Sequence, residues 1–422
     1  MSRIAYVDGQ YVPHRLAQVP IEDRGYQFAD GVYEVCAVFN ARILDEDPHL
    51  DRLERSLNEI RIPSPMPRKA LSFAMAELVR RNRVRNGMIY LQVTRGVARR
   101  DHPFPKDARP MLVMTAKSMD FAQVIARAEK GVKVMTHADM RWSRCDVKTV
   151  GLLPNVLAKQ AAREAGAYEA WLVDRDGYVT EGSSTNAWIV NGDGVLVTRP
   201  LANDILPGIT RQGLIALARE RQIRVEERPF TVDEALSAKE AFFTSTTAFA
   251  MPVVSIDGKT IGDGKPGPVT RRLISLYWEK VMAETGLRRG SRAGQVTALV
   301  HRQLARDLQR RFVNLLLDRA VMTADLLQHV GDGGLIQGIG AEQVLKLGLG
   351  LPQFPHMGAQ VLAVGAHGVA HHFLRLGRQF LHGVMQGHMR PDEPRLGEER
   401  ARREEPQEQE IEGEGQDEHD SH

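Results

Sequence analysis

The sequence has 422 residues, 43% of them apolar and 26% charged, with 56 basic against 53 acidic side chains and a formal net charge of +3. That length allows two or three domains with sizeable cores, and so balanced a charge provides no global field toward nucleic acid or a membrane surface. Two cysteines, Cys36 and Cys145, exclude a disulfide framework. With no apolar run long enough to span a bilayer and no signal-peptide core in residues 1–8, a cytoplasmic enzyme is expected.

In chain order, residues 4–7, Asp8-Gly9 and residues 11–12 predict a strand, a tight turn and a strand. Asp47-Pro48 predicts the start of a helix, with Asp as cap and Pro in its first position, and Leu50, Leu53, Leu57 and Ile60 supply its buried stripe. Residues 88–94 read as a strand and residues 121–130 as a linker. A strand is expected at 132–135 and a helix near 154–165. Hairpins are expected over 170–180, turning at Asp176-Gly177, and over 187–198, turning at 191–194. A further helix runs from Gly208 to about Arg221. Thr231 and Glu234 have the spacing of a capping box before another. Strands mixed with helices at these lengths indicate an α/β (α+β) protein, with a small N-terminal domain over 1–120 and a larger one over 131–287.

The composition changes near residue 288. From Arg288 onward there is no Trp, Tyr or Cys, one Lys (Lys346) and ten of the 14 histidines. Residues 288–390 form an Arg-, His- and Gly-rich extension that fits either an accessory domain or out-of-frame translation of a GC-rich gene, the second being favoured. Residues 391–422 are rich in Glu, Gln and Arg and are expected to be disordered. Leu304, Leu308, Phe312, Leu315 and Leu316 keep a helical spacing. Arg302, Arg306, Arg310 and Arg311 accompany them, but only Phe312 is interleaved, which argues against stacking on nucleic acid. His367 and His371 stand four residues apart without an acidic partner, so no metal is expected.

The sequence contains no CxxC pair, GxxxxGK[ST] loop, HExxH motif or GxGxxG opening a helix after a strand, which turns attention away from zinc, P-loop and dinucleotide chemistry. Lys148 lies in Arg144-Cys145-Asp146-Val147-Lys148-Thr149, between an apolar strand and an apolar helix. It is either a snorkelling surface lysine or one held for its amine, which can form a Schiff base. An aldehyde cofactor on that amine needs a carboxylate for its ring nitrogen, a phosphate cradle and cations for a substrate carboxylate. Glu181, before the polar segment 182–186, is a candidate for the first, although alone it reads as a turn residue. Leu206-Pro207-Gly208-Ile209-Thr210-Arg211 opens a helix whose free N–H groups suit a phosphate; it could equally be an ordinary cap. Thr244 to Thr247 offer hydroxyls after a strand at 241–243. Arg52 lies off the leucine stripe of its helix, either directed at a phosphate or solvated.

Taken together, these segments resemble the fold-type IV (class IV) pyridoxal-phosphate aminotransferases, and within them the bacterial D-amino-acid aminotransferases. The resemblance runs from about residue 6 to 286. It includes Glu22-Asp23-Arg24-Gly25-Tyr26-Gln27-Phe28, Asp30-Gly31-Val32-Tyr33-Glu34-Val35, His49-Leu50-Asp51-Arg52-Leu53 and Tyr90-Leu91-Gln92-Val93-Thr94-Arg95-Gly96. It continues through Arg141-Trp142-Ser143-Arg144-Cys145-Asp146-Val147-Lys148, Val179-Thr180-Glu181-Gly182-Ser183-Ser184, 206–211 and 244–247.

The resemblance implies a two-domain homodimer with pyridoxal 5'-phosphate at the domain interface. Lys148 is then the Schiff-base lysine and proton carrier, and Glu181 the partner of the pyridine nitrogen. Arg52, Ile209, Thr210, Ser245 and Thr246 hold the phosphate, with Leu206 against the ring. Tyr33, with Arg100 and His102 from the other subunit, receives the substrate carboxylate. The Arg-x-His spacing of Arg100 and His102 implies D-specificity, with D-alanine and 2-oxoglutarate giving pyruvate and D-glutamate in a ping-pong reaction. A branched-chain L-amino-acid aminotransferase and aminodeoxychorismate lyase are the alternatives within the fold. Pro154, Ala37 and Ala248 depart from the family pattern, which bears on side-chain preference.

Overall fold

A computed structural model describes residues 3–287; the expectations for 288–422, including the Arg cluster, His367 and His371, lie outside the described residues. Two sheets, of six and nine strands, dominate the fold. In the first, Gln10–Pro13, Ile4–Val7, Met111–Ser118, Gly87–Thr94, Gly31–Phe39 and Arg42–Ile43 lie side by side, every pair antiparallel. Helices Glu46–Glu59 and Arg68–Arg81 pack on this sheet, burying Leu50, Leu53 and Leu57 from one and Leu71, Met75 and Leu78 from the other.

The second sheet is mixed. Its order is Val225–Glu227, Leu196–Thr198, Asn186–Val190, Glu240–Ser245, Phe249–Ile256, Val132–Ala138, Glu169–Val173 and Val179–Gly182, with Lys259–Thr260 beside Phe249–Ile256. Val132–Ala138 pairs in parallel with both its neighbours, and the two expected hairpins form. Nearly every residue of the central strands is buried, as it must be where both faces of a sheet are covered.

The helix predicted from Asp47-Pro48 begins earlier, at Glu46, after Asp45 in a left-handed conformation with φ 54°. Asp45 does not cap that helix. Its carboxylate accepts from the Tyr277 hydroxyl (3.1 Å) and pairs with Lys280, both on the last described helix, Pro268–Thr285. Pro48 is tolerated inside the first turn because its missing N–H has no helical acceptor there. Residues 121–130, expected as a linker, form the helix Phe121–Lys130, capped by Asp120 onto the Ala122 N–H. Phe121, Ile125 and Ala128 face inward from it. The Phe121 ring meets Phe39 of the first sheet and Phe249 of the second, at 4.5 and 5.7 Å between centroids, so this short helix is a core element linking both layers. At Thr231 only half the capping box closes. Its hydroxyl accepts the Glu234 N–H, while the Glu234 carboxylate pairs with Arg228.

Candidate active site

A cavity of about 600 Å³ collects residues from both sheets and their loops, within the size range of small-ligand sites. Tyr33, Arg52, Lys148, Glu181, Leu206, Ile209, Thr210, Ser245 and Thr246 all line it. Arg100 and His102 do not. Both are exposed on the loop after Gly96.

Lys148 is placed by stitching its segment to the first sheet. The Tyr33 N–H donates to the Lys148 carbonyl (3.0 Å) and the Val150 N–H to that of Gly31 (3.1 Å). Arg55 donates to both the carboxylate and the carbonyl of Asp146, at 2.6 and 2.8 Å. With its backbone fixed, Lys148 brings Nζ to 4.1 Å from the centre of the Tyr33 ring, a cation–π contact. The Tyr33 ring stacks on Tyr90.

Arg52 is not solvated; it is buried beside the fully buried Glu34. Nε and Nη2 donate to the two Glu34 oxygens at 2.7 and 2.8 Å, and Nη1 donates to the Pro207 carbonyl at 2.9 Å. His49 Nδ1 is 2.8 Å from the same carboxylate. Burial alone would raise the Glu34 carboxyl; Arg52, then His49, overcome it and hold it down at about 2. Arg52 is thus fixed at the entrance to helix Ile209–Glu220, whose cap Gly208 makes no side-chain hydrogen bond. The first N–H groups of that helix carry partial positive charge. A Cβ at position 208 would collide with Asn186 Oδ1, so a larger residue there must displace the amide that donates to Glu181 and the Leu206 carbonyl. In the hydroxyl-bearing turn 244–247, the Thr244 hydroxyl accepts the Trp188 indole N–H (3.1 Å), Ser245 Oγ accepts the Ala248 N–H, and Thr244, Ser245 and Thr246 all line the cavity.

Glu181, which also lines the cavity, is 5% exposed. One oxygen pairs with Arg141; the other accepts from Asn186 Nδ2 (2.9 Å) and the Leu206 N–H (3.1 Å). Arg141 directs most of its fork elsewhere, with Nε and Nη2 on Asp139 at 2.9 and 2.7 Å and Nη2 also on the Asp204 carbonyl. Burial pushes the Glu181 carboxyl up to about 7, against the pull of Arg141, the Leu206 N–H and Lys148. Behind the 182–186 segment, the buried Glu169 accepts from the Ser183 hydroxyl and from Ser184 Oγ (3.1 Å) and pairs with Lys159 at 3.1 Å. Pro154 falls in the first turn of helix Leu153–Glu164, where it breaks nothing, and also lines the cavity.

The supporting residues Glu34, His49, Ser56, whose Oγ accepts the Lys148 N–H at 3.4 Å, Arg141, Asn186 and Glu169 receive no role in the motif reading, although Glu34, His49 and Arg141 fall inside its segments. Three of them carry a signal nonetheless. His49 and Ser56 share the buried side of their helix with Arg52 and the leucines, and Glu34 is an isolated charge in an apolar strand, which demands a partner.

The donor set fits pyridoxal phosphate. A helix start with a fixed arginine and two further hydroxyl residues suits the phosphate, a buried carboxylate suits the ring nitrogen, and the Lys148 amine belongs to the same cavity. Residues 31–256 match the family described as amino-transferase class IV. The chain is 43% identical over 278 residues to the D-alanine aminotransferase of Bacillus licheniformis, spanning 66% of this chain and 97% of that protein. Its fold is similar to that of the Escherichia coli branched-chain amino acid aminotransferase, with a TM-score of 0.62 at 26% identity over 66% of this chain and 94% of the other. The T.th. branched-chain amino acid aminotransferase crystallised with pyridoxamine 5'-phosphate gives 0.62 at 28% identity, over 68% and 96%.

Proposed function

We propose D-amino acids as the substrates of this chain, which belongs to the class IV aminotransferases and is a pyridoxal-phosphate-dependent transaminase. D-Alanine and 2-oxoglutarate would give pyruvate and D-glutamate in two half-reactions. The observation that carries this reading is the convergence on one cavity of Lys148, Glu181, Arg52 and the start of helix Ile209–Glu220, in a chain 43% identical to a D-alanine aminotransferase.

When bound, pyridoxal phosphate supplies an aldehyde that takes up the amino group and a ring that accepts the electron pair left by the α-proton. Lys148 Nζ is the group that takes the proton from the substrate α-carbon and carries it onward. Arg52, the N–H groups of Ile209 and Thr210, Ser245 and Thr246 would hold the phosphate, and Leu206 would pack on the ring. Glu181 would take its anionic form against a protonated ring nitrogen, since a nearby opposite charge lowers a raised carboxyl. Tyr33, with Arg100 and His102 from a second copy, would receive the substrate carboxylate. An arginine, a histidine and a phenol on one side would decide which enantiomer turns its hydrogen toward Lys148. The reading includes a homodimer, a cytoplasmic location and a division into residues 1–120 and 131–287 with the cofactor between them. No helix among the described residues is long and apolar enough to cross a membrane.

The visible spectrum of the cofactor-loaded protein tests this. D-Alanine should bleach the absorption and L-alanine should leave it. Bleaching by L-leucine in place of D-alanine would move the protein to the branched-chain group. A protein that takes up no cofactor, or holds it after Lys148→Ala with unchanged spectrum, would remove Lys148 from the chemistry.

A further inference from the structure

We infer that Arg24 is a positioning residue for the substrate carboxylate. Anchored on Asp30, it holds the backbone of Asp101 and His102 and so fixes where Arg100 and His102 stand. The inference rests on the reading that Arg100 and His102 receive that carboxylate.

Arg24 is 3% exposed and opens the short helix Arg24–Phe28, capped by Asp23. Its Nε donates to Asp30 Oδ2 at 2.8 Å. Nη1 donates to the Asp101 carbonyl at 2.6 Å and Nη2 to the His102 carbonyl at 3.2 Å. The same guanidinium therefore joins a largely buried carboxylate to two consecutive carbonyls of an exposed loop. The Phe28 ring lies between, 4.8 Å from the Arg24 guanidinium, 4.6 Å from that of Arg100 and 5.5 Å from the His102 ring.

The base of the loop is closed separately. Gly96 has φ +94°, and a Cβ there would collide with the Arg109 carbonyl. The Arg24 N–H donates to the Gly96 carbonyl (2.9 Å) and the Ala98 N–H to that of Glu22 (3.2 Å). These contacts hold residues 96–98, while Arg24 holds the backbone of 101 and 102 and Phe28 meets the side chains of Arg100 and His102. Exposed loops move unless their backbone is tied down. A binding pair on an untied loop loses affinity to ordering on every encounter. Lysine cannot replace arginine here, because one ammonium on a flexible stem does not span three acceptors in fork geometry.

The test follows the half-reaction of the cofactor-loaded enzyme by its visible absorption, with D-alanine and with D-alaninamide, which keeps the chiral centre and lacks the carboxylate. Arg24→Lys should raise the half-saturating D-alanine concentration about tenfold or more, the sign of lost ground-state binding. It should change the limiting rate less than about threefold and leave the D-alaninamide reaction and the cofactor spectrum as they were. Equal losses for both compounds, or an altered spectrum, would show a general structural role and overturn the inference. Arg100→Ala separates the two readings. If it raises half-saturation while Arg24→Lys does not, the inference fails and the carboxylate reading stands; if it has no effect, the carboxylate reading itself fails and takes this inference with it. Should Arg24→Lys yield too little folded protein, Arg24→Gln removes the fork while leaving Asp30 to its second partner, Arg95, and must give the same split between the two compounds.

Discussion

Glu34 and Glu181 are both buried and both face an arginine, yet they are held at opposite ends of the carboxylate range. Glu34 sits at about 2 and Glu181 at about 7. The difference lies in how each arginine is shared. Arg52 gives Glu34 two bonds of its fork and His49 adds a third contact. Arg141 gives Glu181 a single nitrogen, because Asp139 takes its fork. A bidentate partner offsets desolvation, and one shared with another carboxylate does not. Glu34 is therefore settled as a structural anion that fixes Arg52. Glu181 stays poised to become anionic when a further positive charge is brought against it, as a protonated pyridine nitrogen would be under the proposed function.

Breaking the first of these pairs should have the largest effect. Glu34→Gln leaves the Arg52 guanidinium buried without its counter-charge, and disrupting a buried ion pair costs about 3–5 kcal/mol. Denaturant unfolding should register that loss, together with weaker uptake of pyridoxal phosphate as Arg52 loses its anchor. A midpoint within error of wild type would mean that Arg52 is held by Pro207 and packing rather than by Glu34.

The second effect has opposite signs at the two sites and depends on pH. Glu181 titrates higher in the folded chain than its usual 4.5, so the folded state binds the extra proton and stability falls as pH rises from about 4.5 to 7. At 1.36 kcal/mol per unit the fall amounts to about 3 kcal/mol. Glu34 is depressed, so its contribution is present above 4.5 and is lost as pH falls toward 2. Unfolding of cofactor-free protein should show that Glu181→Gln gains on wild type as pH rises across the first window. A constant difference between the two proteins would place Glu181 at an ordinary value. With cofactor loaded the pH dependence should shrink, because the anion is then paired.

Legibility in the sequence divides along the same line. Glu181, Lys148 and the 206–211 segment are legible because each stands in a motif whose residues also meet the cavity. The role of Glu34 emerges only with the fold. What singles it out is the side of helix Glu46–Glu59 that carries His49, Arg52 and Ser56 beside the leucines, a polar row that resembles a solvated edge. The start of that helix differs from expectation because Asp45 serves the last described helix through Tyr277 and Lys280, contacts across 232 and 235 residues that no local pattern records. Residues 121–130 read as a linker because Phe121, Ile125 and Ala128 make only a short stripe; its partners, Phe39 and Phe249, are far apart in the chain.

The smallest effect sharpens the contrast rather than breaking it. Asn186 donates to Glu181 Oε2 and to the Leu206 carbonyl, favouring the charged carboxylate without adding charge. Asn186→Ala should cost about 1 kcal/mol, the net worth of a lost hydrogen bond, because Glu181 Oε2 keeps the Leu206 N–H. It should also move the titration of Glu181 above its present value near 7, since a donor to the anionic form has gone. The midpoint of the pH–stability curve of cofactor-free protein reads this directly. An upward movement would show that neutral donors set the poise of Glu181 alongside Arg141. A curve that loses height without moving along the pH axis would assign that poise to burial, Arg141, the Leu206 N–H and Lys148, leaving Asn186 as a brace for the 206–208 turn.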